Sequence, residues 1–365
     1  LATVYHSTGN YRLMASQLVF VINPGSTSTK LAFFDERKSR WEQMVDHPQG
    51  IGPHPRDALD QRTAEIAGLL GDKLTDWKPA AVAGRGGPLR PLKGGTYIVN
   101  DQMIDELLSE RWSAHASNLG APLARYFASK WGVPAYVVDP VTVDNFTPLA
   151  RVSGVPGIAR RSRSHALNIR ACAYLAAAKI GKPLARTRFV VAHLGGGISV
   201  ACVGGGKIID VNDALLGMGP FSPTRAGAVP IGPLVEMATS GEITKEQLVH
   251  KLTHESGFMG YVGTSSLVRI EELINEGDEN ARLVRDAMIY QIAKEIGASA
   301  AVFKGKVDAV VLTGGLVYSP SFRKLLRSYI RWLGRVLVFP GEREMEALAA
   351  GVFRVLNGEE EAKDY

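Results

Sequence analysis

The feature that most constrains the fold is a strand, turn, strand, turn, strand plan that occurs twice, about 170 residues apart. The first copy runs Val21-Ile22-Asn23-Pro24-Gly25-Ser26-Thr27-Ser28-Thr29-Lys30-Leu31-Ala32-Phe33-Phe34, then a polar turn, then Trp41-Glu42-Gln43-Met44-Val45-Asp46. The second runs Val190-Val191-Ala192-His193-Leu194-Gly195-Gly196-Gly197-Ile198-Ser199-Val200-Ala201, then Gly204-Gly205-Gly206-Lys207 and Ile208-Ile209-Asp210-Val211. Such self-similarity implies a duplicated domain. Two halves that each open with a three-strand antiparallel meander, then alternate strand and helix, form an α/β chain and face each other across a cleft, where ligands usually bind.

Periodicity places strands at 18–22, 30–35, 41–46, 81–83, 97–100, 135–139, 189–193, 197–203, 207–211, 308–313 and 336–339. The clearest helices are expected at 58–70, 116–130, 165–180, 231–240, 244–251, 267–276, 279–304, 320–333 and 344–356. A length of 365 residues suits two domains. Apolar residues make up 45% and charged residues 21%, which excludes a disordered or tail-type chain. The net charge of +6 is dispersed, so nucleic acid is not an expected partner. Cys172 and Cys202 show no paired spacing, and a reducing cytoplasm fits them. No run of 18 apolar residues occurs, so no membrane span is expected. Residues 1–13 lack a basic and apolar leader pattern and read as a non-native extension ahead of Met14.

Glycine is the one compositional excess, 39 of 365 residues or roughly 11% against about 7% on average. Its clusters follow apolar β-like runs: Asn23-Pro24-Gly25, Gly195-Gly196-Gly197 and Gly314-Gly315. Corners rich in Gly, Ser and Thr expose backbone N–H groups and hydroxyls that suit phosphate. Asn23, Ser26, Thr27, Ser28 and Lys30 form such a set, although a plain hairpin with a polar loop reads the same way. GxxxxGK[ST], a helix-opening GxGxxG, GxSxG, HExxH and the protein-kinase signatures are all missing. A nucleotide enzyme without them falls in the actin-like kinase class.

Residues 22–30 resemble the first phosphate motif of the acetate and butyrate kinase family, and Ala192-His193-Leu194-Gly195-Gly196-Gly197 resembles its second. Leu312-Thr313-Gly314-Gly315-Leu316 resembles the adenosine motif. His115-Ala116-Ser117-Asn118-Leu119-Gly120, Val137-Val138-Asp139-Pro140-Val141, Arg151-Val152-Ser153-Gly154 and Val338-Phe339-Pro340-Gly341 are similar to the butyrate kinase branch. The resemblance runs from about Gln17 to the end of the chain.

It implies duplicated actin-like, ribonuclease H-like domains with mixed sheets flanked by helices and the active site between them. Residues 14–165 with 343–365 would form the N-terminal domain, and 166–342 the C-terminal domain. The implied reaction is reversible, Mg²⁺-dependent phosphoryl transfer between ATP and butanoate, giving ADP and butanoyl phosphate. Isobutyrate is the near alternative, acetate or propionate the next, and an actin-like ATPase switch or chaperone the distant one. The resemblance also implies a cytoplasmic homo-oligomer, a dimer or larger.

By resemblance, Arg85 receives the substrate carboxylate and Asp139 orients Arg85 and the reacting groups. His165 contacts the phosphoryl in flight, His193 is the catalytic histidine of the second motif, and Arg225 is the second active-site arginine. Asn23, Ser26, Thr27, Ser28, Lys30, Gly195, Gly196, Gly197, Gly314 and Gly315 hold the nucleotide, and Asn23 with Glu344 holds Mg²⁺. One departure stands out: Ser266-Leu267-Val268-Arg269 has no acid where the family carries one, which leaves the ribose contacts of that loop open. The basic run Arg160-Arg161-Ser162-Arg163 reads as a solvated helix entry.

Overall fold

Each copy of the repeated plan forms its own sheet. The computed structural model of the chain describes residues 17–36, 38–48 and 55–365, so the expected extension over 1–13 lies outside the described residues. The first sheet contains β1 (Val19–Pro24), β2 (Ser28–Phe34), β3 (Ser39–Asp46), β4 (Ala81–Arg85), β5 (Thr96–Ile98) and β6 (Ala135–Val138), ordered β3-β2-β1-β4-β6-β5. The second contains β7 (Arg188–Leu194), β8 (Ile198–Gly204), β9 (Lys207–Val211), β10 (Ala309–Gly314) and β11 (Val336–Pro340), ordered β11-β10-β7-β8-β9.

In both sheets the first three strands pair antiparallel and the first strand of the meander then pairs parallel with a later one, β1 with β4 and β7 with β10. Parallel strands need cover on both faces, and β4, β6 and β10 are buried along their whole length. Edge strand β3 carries Arg40, Glu42 and Gln43 outward, the charged dress that keeps an edge from pairing with another chain.

Helices fill the layers. Pro55–Leu70 and Gly120–Trp131 cover one face of the first sheet, where Phe20 stacks on Phe33 at 4.5 Å and meets Phe127 and Trp131 edge-on. Helix Glu344–Leu356 covers the other face through Leu348, Val352 and Phe353. The last helix of the chain thus returns to the first sheet. Helix Ala166–Ile180 covers one face of the second sheet, and Leu267–Asn275, Glu279–Val302 and Pro320–Ile330 cover the other. Helix Glu279–Val302 contributes Ala281, Val284, Met288, Ile289, Ile292, Ile296 and Ala300 to that core.

The structure departs from the sequence reading where short elements lack a full period. The strand expected over 97–100 ends at Ile98, because Asn100 caps a helix at Asp101–Leu108 by accepting from Met103 N–H. The turns of helix at Lys73–Asp76, Pro148–Arg151 and Gly257–Val262 were not expected at all. Arg160 is not a solvated helix entry: it lies in irregular chain and donates to Ala150 O, Asp210 and Val211 O.

One contact couples packing to the site. A Cβ on Gly84 would lie 2.2 Å from Gly120 O, and a Cβ on Gly120 would lie 2.1 Å from Arg85 O. The first turn of helix Gly120–Trp131 therefore rests directly on the strand that carries Arg85. Gly120→Ala must push the two apart, and we expect a loss of about 1–3 kcal/mol in urea unfolding. Unchanged stability would show that this contact yields freely.

Candidate active site

The two corners sit at the carboxyl ends of β1 and β7, where a sheet of this kind leaves a crevice. At the first, Asn23 ends β1 beside its turn, Ser26 and Thr27 form the exposed tip, and Ser28 and Lys30 start β2. Asn23 Nδ2 donates to Glu344 Oε2 at 2.9 Å, and Arg85 Nη1 donates to Glu344 Oε1 at 2.6 Å. Glu344 opens helix Glu344–Leu356, where a carboxylate also meets the favourable end of the helix dipole. The structure thus brings Asn23, Arg85 and Glu344 together. Arg85 is buried at the end of β4, and a guanidinium with one nitrogen on Glu344 keeps further N–H groups for an incoming anion.

At the second corner, His193 lies in β7 and His165 precedes helix Ala166–Ile180. Their rings stack with centroids 3.9 Å apart at 12°. His165 Nδ1 bonds Ser199 Oγ at 2.9 Å, and His193 Nδ1 meets Asn168 Oδ1 at 3.2 Å. His193 Nε2 is buried without a hydrogen bond among the described residues. Glu342 Oε1 stands 3.6 Å away, too far for a hydrogen bond. The neighbouring His193, with Arg85 and Lys30, holds the Glu342 carboxyl below its usual range against the opposing effect of burial.

Gly197 explains the bare turn between β7 and β8. A Cβ there would lie 2.2 Å from Arg225 Nη1 and 3.2 Å from His165 Cε1. Arg225 lies across the turn and donates to Ala214 O at 2.6 Å. Gly314 ends β10 and Gly315 opens the following turn, Gly315–Tyr318.

Burial pushes His165 well below its ordinary value, helped by His193, Arg225 and Arg85. His115 is also lowered, first by burial and then by Arg85 and Arg225, with Glu344 opposing. Residues of both corners therefore act on the same rings, and the two halves meet at one site. His115 caps the turn Ala116–Leu119 by accepting from Ser117 N–H at 3.1 Å. Its ring nevertheless joins the cleft; the motif His115 to Gly120 carried the only signal. Asn168, Ser199 and Glu342 were missed because their spacing has no signature.

Asp139 needs a correction. It was expected to orient Arg85, but its carboxylate pairs with Arg170 and accepts Gly95 N–H at 2.7 Å, while Arg85 pairs with Glu344. Its backbone is left-handed, at φ +42, which turns the side chain out of the strand direction. Arg269 of the doubtful loop is exposed and pairs with Glu272 and Glu276 on its own helix.

Among the described residues no cluster of three His, Cys, Asp or Glu could hold a metal. Mg²⁺ asks for few protein ligands and keeps water and phosphate oxygens, so the hard oxygens of Asn23 and Glu344 fit it.

The Acetokinase family model matches residues 156–334, the stretch that holds His165, both stacked rings and Arg225. Residues 156–334 are thus similar to that family. Among solved structures the chain is similar to the acetate kinase of Porphyromonas gingivalis, at 21% identity and a TM-score of 0.79, covering 93% of this chain and 100% of that one. It is similar to an acetate kinase from Entamoeba histolytica, at 18% and 0.74, covering 92% and 98%. It is also similar to a propionate kinase from Francisella tularensis subsp. tularensis, at 18% and 0.71, covering 92% and 98%. These likenesses show the fold, two mixed sheets flanked by helices. No helix among the described residues is long and apolar enough to cross a membrane.

The geometry yields two expectations. Asp139→Asn leaves Arg170 a buried cation with a weakened partner, so unfolding free energy should drop by about 3–5 kcal/mol in a denaturant titration. A neutral result would mean the pair holds nothing. His115 and His165, both lowered from 6.5, contribute stability that is complete above that value and is lost as pH falls towards their lowered values, where the unfolded chain binds protons the folded chain refuses. Melting temperature should therefore fall as pH drops below 6.5, and less so in His165→Asn. An equal fall in that variant would put the acid sensitivity elsewhere.

Proposed function

We propose that the chain is a Mg²⁺- and ATP-dependent short-chain fatty-acid kinase, taking butanoate to butanoyl phosphate reversibly. The observation that carries this reading is the gathering of Arg85, Arg225, His115 and His165 within electrostatic reach of one another at the facing corners. A carboxylate attacking a γ-phosphoryl is an encounter of anions, and an ionised carboxylate has no proton to remove. The reaction therefore needs alignment and positive or donor groups around the transferred phosphoryl, and no general base.

In this reading Arg85 receives the carboxylate through the N–H groups not used on Glu344. Arg225, with His165 and His193, faces the equatorial oxygens. A neutral His165 ring suits that task, because it donates without competing for the carboxylate. Ser26, Thr27, Ser28, Lys30 and Gly195 to Gly197 hold the phosphates, and Gly314 and Gly315 the adenosine side. Mg²⁺, held by Asn23 and Glu344, would neutralise charge on the β- and γ-phosphate oxygens. Asp139 acts at a distance, by fixing Arg170.

Butanoate is favoured by the motifs similar to the butyrate kinase branch. The neighbours named acetate kinase and propionate kinase favour a shorter acid as the second reading. One methylene changes selectivity by only about 1–3 kcal/mol. The domain boundaries expected above, 14–165 with 343–365 and 166–342, are supported by the return of helix Glu344–Leu356 to the first sheet. The exposed apolar side chains Ile231, Val235 and Met237 support the expected homo-oligomer.

Initial rates of acyl phosphate formation, trapped with hydroxylamine, across acetate, propionate, butyrate, isobutyrate and valerate test the reading. We expect a maximum at butyrate or isobutyrate and a fall of about 100-fold in Arg85→Ala, with Arg85→Lys a poor substitute. A maximum at acetate or propionate favours the second reading. ATP hydrolysis with no trapped product for any acid would refute carboxylate transfer and leave an ATPase switch.

A further inference from the structure

Arg62 is a charge in the wrong place for an ordinary surface helix. Helix Pro55–Leu70 buries Ala58, Arg62, Ile66 and Leu70, a single stripe, and Arg62 within it is 1% exposed. A guanidinium removed from water is costly unless its donors are used. Here Nη1 donates to Gly25 O at 2.8 Å and to Thr29 Oγ1 at 3.3 Å, and Nη2 donates to Ser26 O at 2.9 Å. The next carbonyl, Thr27 O, accepts His47 N–H at 2.7 Å. The His47 ring in turn bonds Thr29 Oγ1 at 2.8 Å and Glu65 at 2.5 Å.

The consequence follows from peptide geometry. In a trans peptide the C=O and the N–H of the next residue point in opposite directions. With the Gly25 and Ser26 carbonyls drawn to the core side by one guanidinium, the N–H groups of Ser26 and Thr27 face away from it. Among the described residues neither N–H has a protein acceptor, and both residues are exposed. Successive outward N–H groups make a concave seat for an anion. We propose that Arg62 is a positioning residue for nucleotide phosphate: it clamps two carbonyls from behind and so presents the Ser26 and Thr27 amides to a phosphate of ATP. This rests on the kinase reading for the identity of the ligand. Arg62 itself touches no substrate.

Arg62→Met keeps the length of the side chain and removes its donors, whereas Arg62→Lys keeps the charge but cannot bridge two carbonyls. Isothermal titration with Mg·ATP should show about 10-fold weaker binding in Arg62→Met, incompletely restored in Arg62→Lys. The KM for the carboxylate should stay within about twofold, since uniform loss of one ligand's binding leaves the other's unchanged. A second protein, with Thr27 replaced by its α-hydroxy acid so that the backbone N–H becomes an ester oxygen, leaves Arg62 intact. It should lose about as much Mg·ATP affinity. This ester protein decides the matter if Arg62→Met does not fold. Unchanged Mg·ATP affinity in the ester protein, or in a folded Arg62→Met, overturns the proposal. A parent protein that binds Mg·ATP but phosphorylates no carboxylate removes the kinase reading and leaves these comparisons valid. A parent with no affinity for Mg·ATP overturns both.

Discussion

A deeply buried ion pair, Asp139 with Arg170, joins the two halves of this chain. Asp139 stands at the end of β6 in the first sheet, and Arg170 lies on the helix that covers the second. Arg170 also donates to Gly206 O, and Asp139 also takes Gly95 N–H, so each partner is anchored within its own half. Removal of either partner strands a charge where water cannot reach it. The placement of Arg225, His165 and His193 relative to Arg85 and Glu344 depends on this junction holding. That accounts for a carboxylate in a left-handed backbone at a position where a small apolar strand end would otherwise suffice.

Charge in the cleft is arranged to avoid self-repulsion. Arg85 is partly neutralised by Glu344, while the two stacked imidazoles cannot both carry protons at 3.9 Å without strong repulsion. Burial and the two arginines settle the matter for His165 by depressing its proton affinity. The result is a site that is rich in donors yet carries fewer full charges than its residue list suggests.

The sequence made the sheet plan legible because strands buried on both faces must be written as near-continuous apolar runs, as Leu18 to Ile22 and Val310 to Leu312 are. The corners were legible because Gly, Ser and Thr cluster only where backbone has to be approached. Short helices such as Asp101–Leu108 and Gly257–Val262 were not, since they hold too few turns to display a period. Pairings across long separations were also hidden. Glu344 meets Asn23 and Arg85 through a return of the chain, and Asp139 was assigned to Arg85 because nothing local pointed to Arg170 on the opposite layer. His115 shows a further limit, as a side chain that both caps a turn and faces the cleft looks from sequence like a cap alone.

Duplication supplied two similar corners, and their differences show how a symmetric frame serves an asymmetric reaction. At the first, side chains behind the turn take up the carbonyls of Gly25 and Ser26, leaving backbone donors in front. At the second, Gly195 N–H is already spent on Gly197 O, and Gly196 O accepts the Ser222 hydroxyl. What the second turn contributes is emptiness: the missing Cβ of Gly197 is the space that Arg225 occupies. One corner therefore offers backbone amides, and the other offers room for a guanidinium and two imidazoles.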